Sequence, residues 1–323
     1  MTKLSDLGEF GLIHHLTHGL DCIHDSIGDD CAIVELGGAT LLITSDTAVE
    51  GTHFLWDYGT PHDLGWKTAA AALSDIAAMG GQPRYVTISM AIPANLELEK
   101  IEAFYQGMAD AIQSTHAQII GGDTTRSQSG LMVDLTVIGE PGPGRILLRS
   151  GAEADDVIAV TGYPGRSAAG LLALQGGQDI PPLTRAHLHP IPRIQEGQWL
   201  AQQDGVHALM DCSDGMVQDL GHIAKASNLG IELSGHDLPH DPILEEASRQ
   251  GGFDPQALCL AGGESYELLL AVSKAAFPAL ATEFTERFNL PLTAIGYTNT
   301  DTNGVHIDGQ SLDGTPAGYD HFI

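Results

Sequence analysis

The sequence predicts an α/β protein, or one of the related α+β class, that is divided into two domains. Apolar runs of strand length alternate with helical patterns along the whole chain. At 323 residues the chain is long enough for two domains of ordinary size, each with its own core. A loop rich in glycine and proline, GEPGPGRILLRSGAEADD, separates two strand patterns near residue 150. We therefore expect an N-terminal domain over residues 1–150 and a C-terminal domain over residues 151–323.

Nine segments have the length and composition of β-strands. Each is an apolar run bounded by turn-forming residues such as Gly, Pro, Asn or Asp. The predicted strands cover residues 31–36, 40–44, 84–92, 131–138, 156–161, 208–210, 230–233, 266–272 and 291–297. Seven further segments place apolar residues at helical spacing. The predicted helices cover residues 63–79, 96–116, 167–174, 194–203, 216–228, 243–250 and 274–288.

The predicted helix over residues 63–79 carries the most information about function. Pro61 precedes it, Gly80–Gly81 ends it, and its second half reads AAAALSDIAAMGG, which is apolar on nearly every side. Asp75 lies in this stretch, and its neighbours three and four positions away are Ala or Met. Because an unpaired buried carboxylate is costly, we expect Asp75 to face a metal ion or an arginine. The alternative is an aspartate that is exposed at a crevice or paired with Arg84.

Further aspartates lie next to predicted strands, where ligands bind in open α/β sheets. Taken singly, each has an ordinary explanation as a turn residue or as the N-cap of a helix. Gathered with Asp75 in one crevice, they would repel one another unless divalent cations lay between them. Carboxylate oxygens without a cluster of Cys or His favour Mg²⁺ or Mn²⁺ over Zn²⁺. The aspartates concerned are Asp29, Asp30, Asp46, Asp123, Asp211 and Asp214.

Magnesium held by protein carboxylates commonly carries a nucleoside triphosphate, so this pattern predicts phosphoryl transfer. The sequence contains neither a Gly-Lys-[Ser/Thr] Walker A loop nor a protein-kinase glycine-rich loop with a downstream His-Arg-Asp. Metal ions would then neutralise most of the phosphate charge, assisted by Lys67, Arg126 or Arg149. The segment VIAVTGYPGRSAAGL either offers backbone N–H groups to an anion or is a tight turn in which Gly170 allows close helix packing.

The composition excludes several classes of partner. Lys and Arg number 14 against 42 Asp and Glu, and the formal net charge is −28. Such a charge repels phosphate backbones and anionic lipid headgroups, so we expect neither a nucleic-acid partner nor a membrane partner. No signal-peptide pattern and no apolar run of membrane-spanning length occur. Free thiols are expected at Cys22, Cys31, Cys212 and Cys259, which form no Cys-x-x-Cys pair. We therefore expect a soluble, cytoplasmic protein.

The order of short motifs along the chain resembles a known family, the thiamine-monophosphate kinases of the aminoimidazole ribonucleotide synthetase-like superfamily. The motifs that carry the resemblance are SIGDDCAIV, ITSDTAVEGTHF, GWKTAAAALSDIAAMGGQPRYV, IIGGDTTRS, LLRSGA, VTGYPGRSAAGL, DCSDGMVQDLGHIAKAS, GGESYELLL and GYDHF. The resemblance implies the two-domain fold of this superfamily, with the N-terminal sheets of two subunits pairing into a barrel-like homodimer. It also implies a reaction, the Mg²⁺-dependent transfer of the γ-phosphoryl group of ATP to thiamine monophosphate, which gives thiamine diphosphate and ADP.

The resemblance also implies three groups of site residues in this sequence. The positions that would hold several magnesium ions are Asp30, Thr44, Ser45, Asp46, Asp75, Asp123, Asp211 and Asp214. The positions that would contact ATP are Tyr105, Gly122, Asp123, Arg149 and Ser213. The positions that would hold thiamine monophosphate are His53, Glu264 and Tyr319. No catalytic base is required, since a phosphate oxygen is already nucleophilic.

The chain departs from the family pattern near the implied substrate site. Ser265 stands where a second acid usually follows Glu264, and Ala72 stands where an Asn is frequent. Tyr319 and Trp56 either stack on a pyrimidine or thiazolium ring or are ordinary packing residues. Two other functions stay open from the sequence. One is another ATP-dependent enzyme of the superfamily, such as aminoimidazole ribonucleotide synthetase or selenophosphate synthetase; the other is a noncatalytic nucleotide- or metal-binding protein.

Overall fold

Two β-sheets, each accompanied by helices, organise the chain in a computed structural model that describes residues 4–20, 27–312, 318–319 and 321–322. The first sheet has five strands and the second has seven. This is a mixed α/β fold of two domains, as the sequence predicts. Cys22 lies outside the described residues. Among the described helices, none combines the length and the apolar content that crossing a bilayer requires.

The first sheet is mostly antiparallel. Its strand order is β1-β2-β5-β3-β4, and only β3 and β4 run parallel to each other. The elements of this half, in chain order, are a 3₁₀ helix at Leu4–Asp6, α1 (Gly8–Thr17), β1 (Ala32–Leu36), β2 (Ala39–Val49), α2 (Pro61–Ala78), β3 (Gly81–Pro93), α3 (Leu98–Ser114), β4 (Gln118–Ser127) and β5 (Met132–Pro141).

Helix α2 is buried on most sides, which confirms the interpretation of its apolar sequence. Its start is defined by a capping box, in which Asp63 N–H donates to Thr60 Oγ1 and Thr60 N–H donates to the Asp63 carboxylate. Helix α3 crosses α2 so closely that a Cβ at Gly65 would lie 1.9 Å from the Phe104 carbonyl oxygen. This close packing fixes α2 against the sheet and with it the position of Asp75.

One face of the first sheet has no helix over it within the described part of the chain. Tyr85 on β3 and Met132 on β5 belong to inner strands, yet they are 46% and 43% exposed. The edge strand β4 is exposed along almost its whole length, including Ile120 at 55%. An open sheet face beside an exposed edge strand is an unusual surface for an isolated chain.

The second sheet has the strand order β12-β11-β8-β10-β6-β9-β7. Gly170 lies on a helix of this half, α4 (Arg166–Gln175), and a Cβ there would lie 2.2 Å from the Leu183 carbonyl oxygen, which confirms the close-packing explanation. The elements of this half are β6 (Val157–Thr161), α4 (Arg166–Gln175), α5 (Pro181–Leu188), α6 (Ile194–Leu200), β7 (Val206–Asp211), α7 (Met216–Ser227), β8 (Gly230–Leu233), α8 (Pro242–Gly251), α9 (Pro255–Ala261), β9 (Leu268–Val272), α10 (Phe277–Phe288), β10 (Leu292–Asn299), β11 (Gly304–Ile307) and β12 (Gln310–Ser311).

Several details differ from the sequence prediction. Asp46 lies inside β2, not at its end, because the strand continues through polar residues to Val49. Asp123 lies inside β4 and not in a turn. Arg84 pairs with Glu140, so it is not the partner of Asp75. The N-cap of α7 is Gly215, so neither Ser213 nor Asp214 caps that helix. The elements that the sequence does not predict are the 3₁₀ helix at Leu4–Asp6, α1, α5, α9, β4, β11 and β12.

Candidate active site

Three aspartates from distant parts of the chain converge where α2 meets β7. Asp30 precedes β1, Asp75 lies in the last turns of α2, and Asp211 ends β7. One carboxylate oxygen of each lies within 4.8 Å of those of the other two. Hydroxyl groups orient two of them, since Thr44 Oγ1 donates to Asp75 Oδ2 and Ser74 Oγ donates to Asp211 Oδ2 at 2.6 Å. Asp75 therefore faces other acids, which is the arrangement that calls for a cation.

The local electrostatics agree with a site built for positive charge. Burial, together with the neighbouring acids Asp211 and Asp29, raises the pKa of Asp30 to about 7, although Arg149 opposes the change. Burial, and then the charges of Asp211 and Asp30, raises the pKa of Asp75 well above its usual value. Acids whose pKa rises in this way become stable as carboxylates when a cation joins them.

Asp30 has the buried oxygen that a metal ligand requires. Its Oδ1 accepts hydrogen bonds from Arg149 Nε at 3.1 Å and Nη2 at 2.6 Å. Its Oδ2 is fully buried and has no hydrogen-bond partner among the described residues. A buried carboxylate oxygen without a partner is costly, and an oxygen-ligated divalent ion would satisfy it. The residues present therefore fit Mg²⁺.

A cavity of about 830 Å³ opens beside this cluster, between the two halves of the chain. Asp46 and Asp214 lie in its wall, and burial raises the pKa of each to about 6. The next largest cause is the charge of neighbouring acids, namely Asp211 for Asp46, and Glu9 and Asp211 for Asp214. Asp30 and Thr44 lie behind the wall, in contact with its acids. The predicted site residues that line the cavity are Ser45, Asp46, His53, Asp75, Arg149, Asp211, Ser213, Asp214, Glu264 and Tyr319.

The loop before β9 is tied to the segment that carries the C-terminal acids. Glu264 N–H donates to Ser213 O at 2.6 Å, and Tyr266 N–H donates to Cys212 O at 2.8 Å. Ser265 Oγ donates to the same carbonyl at 3.1 Å, so this residue, which differs from the family pattern, has a structural role. Glu264 and Tyr266 have φ values of 58° and 51°, a conformation that is rare outside glycine. Such backbone is kept where the surrounding structure over-determines it, often at functional sites.

Aromatic rings form a row along another part of the cavity wall. The rings of His53 and His321 lie 5.0 Å apart, and those of His321 and Tyr319 lie 4.9 Å apart. Val49 N–H donates to His53 Nδ1 at 3.0 Å, so this nitrogen is unprotonated. Trp56 packs within the N-terminal core instead, which confirms the packing explanation for that residue. The row offers flat surfaces to a planar ligand.

Three residues that are predicted to contact ATP or a metal ion do not line this cavity. Tyr105 lies on α3 and is 36% exposed, while Gly122 and Asp123 lie on the exposed strand β4. Gly122 has a packing reason to be glycine, because a Cβ there would lie 1.7 Å from the Ile88 carbonyl oxygen. Arg126, a candidate phosphate partner, is on the same strand.

A buried group of polar residues lies behind Glu264, and nothing in the sequence indicates it. Lys67 Nζ lies 2.7 Å from Glu264 Oε1 and 3.1 Å from His187 Nε2, and His187 Nδ1 lies 3.1 Å from Ser167 Oγ. The sequence predicts Lys67 only as a phosphate partner. The contact between Lys67 and His187 joins residues 120 positions apart, so no local pattern indicated it.

Comparisons with known proteins agree with this geometry. Residues 28–140 match the family profile described as "AIR synthase related protein, N-terminal domain", and residues 153–309 match "AIR synthase related protein, C-terminal domain". The thiamine-monophosphate kinase of Escherichia coli K12 is 40% identical over 98% of both chains. A solved structure described as "AaThiL complexed with AMPPCP and TMP" has a TM-score of 0.89 at 32% identity and covers 99% of both chains. The E. coli hydrogenase maturation protein HypE shares the fold, with a TM-score of 0.70 at 22% identity, over 87% of this chain and 84% of its own. The chain therefore belongs to the AIR synthase related family and, within that family, to the thiamine-monophosphate kinases.

Proposed function

We propose that this protein transfers the γ-phosphoryl group of ATP to thiamine monophosphate and so forms thiamine diphosphate and ADP. The observation that carries the proposal is the convergence of Asp30, Asp75 and Asp211 beside one cavity of about 830 Å³. This volume lies within the range of small-molecule sites. The related solved structure of AaThiL is described as a complex with AMPPCP and TMP. This supports a site that binds a nucleotide and thiamine monophosphate together.

The acids are the proposed ligands of several magnesium ions. Thr44 and Asp46 face the cluster, whereas Ser45 points to the other face of β2, where its Oγ donates to Asp134. Ser45 would therefore contribute its backbone carbonyl. When bound, Mg²⁺ supplies the positive charge that screens the two phosphate compounds from each other and stabilises the transition state. The complete proposed set is Asp30, Thr44, Ser45, Asp46, Asp75, Asp123, Asp211 and Asp214.

The remaining residues of the wall position the two substrates. The Arg149 guanidinium uses two of its five N–H donors on Asp30, which leaves others for phosphate oxygens. We assign ATP contacts to Arg149 and to Ser213, which lies between Asp211 and Asp214. The rings of His53 and Tyr319 contact the planar part of thiamine monophosphate, and the Glu264 carboxylate binds its positively charged ring. These residues bind and align the reactants, and alignment is the main requirement of phosphoryl transfer to an existing phosphate.

We also propose that two copies of the chain pair through their N-terminal sheets. The uncovered face and the exposed strand β4 support this, as does the position of Tyr105, Gly122 and Asp123 outside the cavity of their own chain. In a dimer these residues would serve the cavity of the partner. Light scattering tests the pairing: Ile120→Glu on β4 should give monomers, whereas Leu98→Glu, an exposed position at the start of α3, should not. A dimeric Ile120→Glu variant would contradict the proposed interface.

We make two further proposals, which concern the domain boundary and the cellular compartment of the protein. The family profiles end and begin on either side of residue 150, which supports a division into residues 1–150 and 151–323. The buried cysteines Cys31, Cys212 and Cys259 are unpaired with one another, which supports a reducing compartment such as the cytoplasm.

Substrate comparison tests the proposed activity. ADP release is measured with ATP, Mg²⁺ and one acceptor at a time, namely thiamine monophosphate, thiamine or an aminoimidazole ribonucleotide precursor. We expect release only with thiamine monophosphate, and loss of release when EDTA removes the metal. Release with a different acceptor, or none with any acceptor, would reject the kinase assignment in favour of another synthetase or a noncatalytic protein.

A further inference from the structure

Lys67 is a buried lysine whose hydrogen-bonding capacity is used up within the protein. It projects from α2, is 5% exposed, and reaches the cavity beside Glu264. Its Nζ lies 2.7 Å from Glu264 Oε1, 3.1 Å from His187 Nε2 and 3.2 Å from the His53 carbonyl oxygen. An ammonium group has three N–H donors, and these are three acceptors. Lys67 therefore keeps no donor for a phosphate group, which replaces the role considered for it from the sequence.

The contact with Lys67 determines the tautomer of His187. The ammonium can only donate, so His187 Nε2 must accept and the ring hydrogen must lie on Nδ1. That hydrogen points to Ser167 Oγ, 3.1 Å away on α4. His187 is 3% exposed, and burial, followed by the charge of Lys67, lowers its pKa to about 4. The ring is therefore neutral at physiological pH and acts as a fixed acceptor for Lys67.

The arrangement controls the charge and direction of Glu264. Burial acts to raise the pKa of this carboxyl, but the charge of Lys67 outweighs burial and lowers the pKa below its usual value. The side chain of Glu264 is 30% exposed, and the residue lines the cavity. Its backbone is fixed by the hydrogen bond to Ser213 and by the left-handed conformation. The carboxylate is thus ionised and held in one direction before any ligand arrives.

We propose that Lys67, supported by His187 and Ser167, is a positioning residue for substrate specificity. It holds Glu264 as a fixed anion that recognises the cationic heterocycle of the substrate, not its phosphate. The inference rests on the proposed function, because the thiamine part of thiamine monophosphate carries a permanent positive charge on its thiazolium ring. The ligand class is a planar heterocycle with a quaternary nitrogen, between Glu264 and the aromatic row of His53 and Tyr319.

The test separates the heterocycle from the phosphate. Binding of thiamine, which lacks phosphate, and of thiamine monophosphate is measured by calorimetry for the wild type, Lys67→Met and the control Lys225→Met, an exposed lysine on α7. We expect Lys67→Met to weaken both ligands by the same factor, about tenfold to a hundredfold, because the carboxylate loses a charged partner. The KM for ATP should stay unchanged and kcat should fall less than the KM for thiamine monophosphate rises. The control should match the wild type.

A second pair of variants keeps the inference testable if Lys67→Met does not fold. His187→Gln preserves both an acceptor for Lys67 and a donor for Ser167, whereas His187→Leu preserves neither. We expect wild-type affinity for thiamine with Gln and a loss with Leu. Weakening of thiamine monophosphate alone would show that Lys67 serves the phosphate and would overturn the inference. If Lys67→Met and His187→Leu both bound thiamine with wild-type affinity, the inference would be overturned. The proposed function would still stand in that case, provided that the wild type turned over thiamine monophosphate. A wild type that neither binds thiamine nor turns over thiamine monophosphate would reject both.

Discussion

Replacing Asp46 by Asn should make the metal-free protein more stable at alkaline pH while destroying its activity. Burial, and then Asp211, raises the pKa of Asp46 from 3.8 to about 6. Each pKa unit corresponds to about 1.4 kcal/mol, so ionising this group costs the folded state up to about 3 kcal/mol. The figure is an upper limit, since Asp46 is only partly buried and solvent screens its charge.

The sign of the effect depends on pH. Below pH 3.8 the carboxyl is protonated in the folded and the unfolded chain, and the wild type bears no penalty. As pH rises from 3.8 to about 6, the unfolded chain loses the proton while the folded protein keeps it, so the free energy of unfolding decreases, and above about pH 6 the full penalty remains. Asn keeps the shape and has no charge to bury. In EDTA the free energy of unfolding of the variant should therefore equal that of the wild type near pH 4 and exceed it by up to about 3 kcal/mol at pH 8.

Thermal unfolding in EDTA across pH 4–8 measures this difference, with about 2–4 °C expected for each kcal/mol in domains of this size. Turnover in saturating Mg²⁺ should fall at least about a hundredfold, because a ligand of the catalytic charge is lost. Asp204→Asn, an exposed acid before β7, is the matched control and should change neither quantity. A variant that is less stable than the wild type at pH 8 in EDTA, or that keeps near-normal turnover, would refute the reasoning.

Three further outcomes are expected. Asp75→Asn should abolish ADP release with an unchanged circular dichroism spectrum; near-normal release would contradict its place in the metal site. Thr60→Ala removes the capping box of α2 and should lower the free energy of unfolding in urea by about 1 kcal/mol, and an unchanged urea midpoint would argue against the cap. Gly170→Ala places a Cβ against the Leu183 carbonyl and should destabilise by about 1–3 kcal/mol, whereas the helical control Gly221→Ala, which meets nothing within 4 Å, should be neutral or mildly stabilising.

The predictable parts of the fold are those with strong apolar periodicity. Helix α2 and strand β8 were predicted nearly to the residue because their apolar patterns are long or sharply bounded. Strand β4 was missed because it contains two adjacent glycines followed by polar residues and is exposed, so no burial pattern marks it. Helices α5 and α9 were missed because they have only eight and seven residues and begin at prolines, which resemble turn signals.

The candidate site was predictable only in part for a related reason. An aspartate in an apolar helix is conspicuous, so Asp75 indicated a cation by itself. Lys67 and His187 are each unremarkable in their own segments, and only the packing of α5 against α2 brings them together. The orphan oxygen of Asp30 and the backbone conformation of Glu264 are likewise products of the tertiary structure, which no spacing of residue types reports.

The separation of the acids along the chain has a consequence for how activity is acquired. Asp30 and Asp75 come from the first half, whereas Asp211 comes from the second, and their contact lies at the junction. Each half can form its sheet from its own residues, yet neither can assemble the centre alone. During renaturation we expect secondary structure and tryptophan burial to recover first, with catalysis appearing only once the halves have joined.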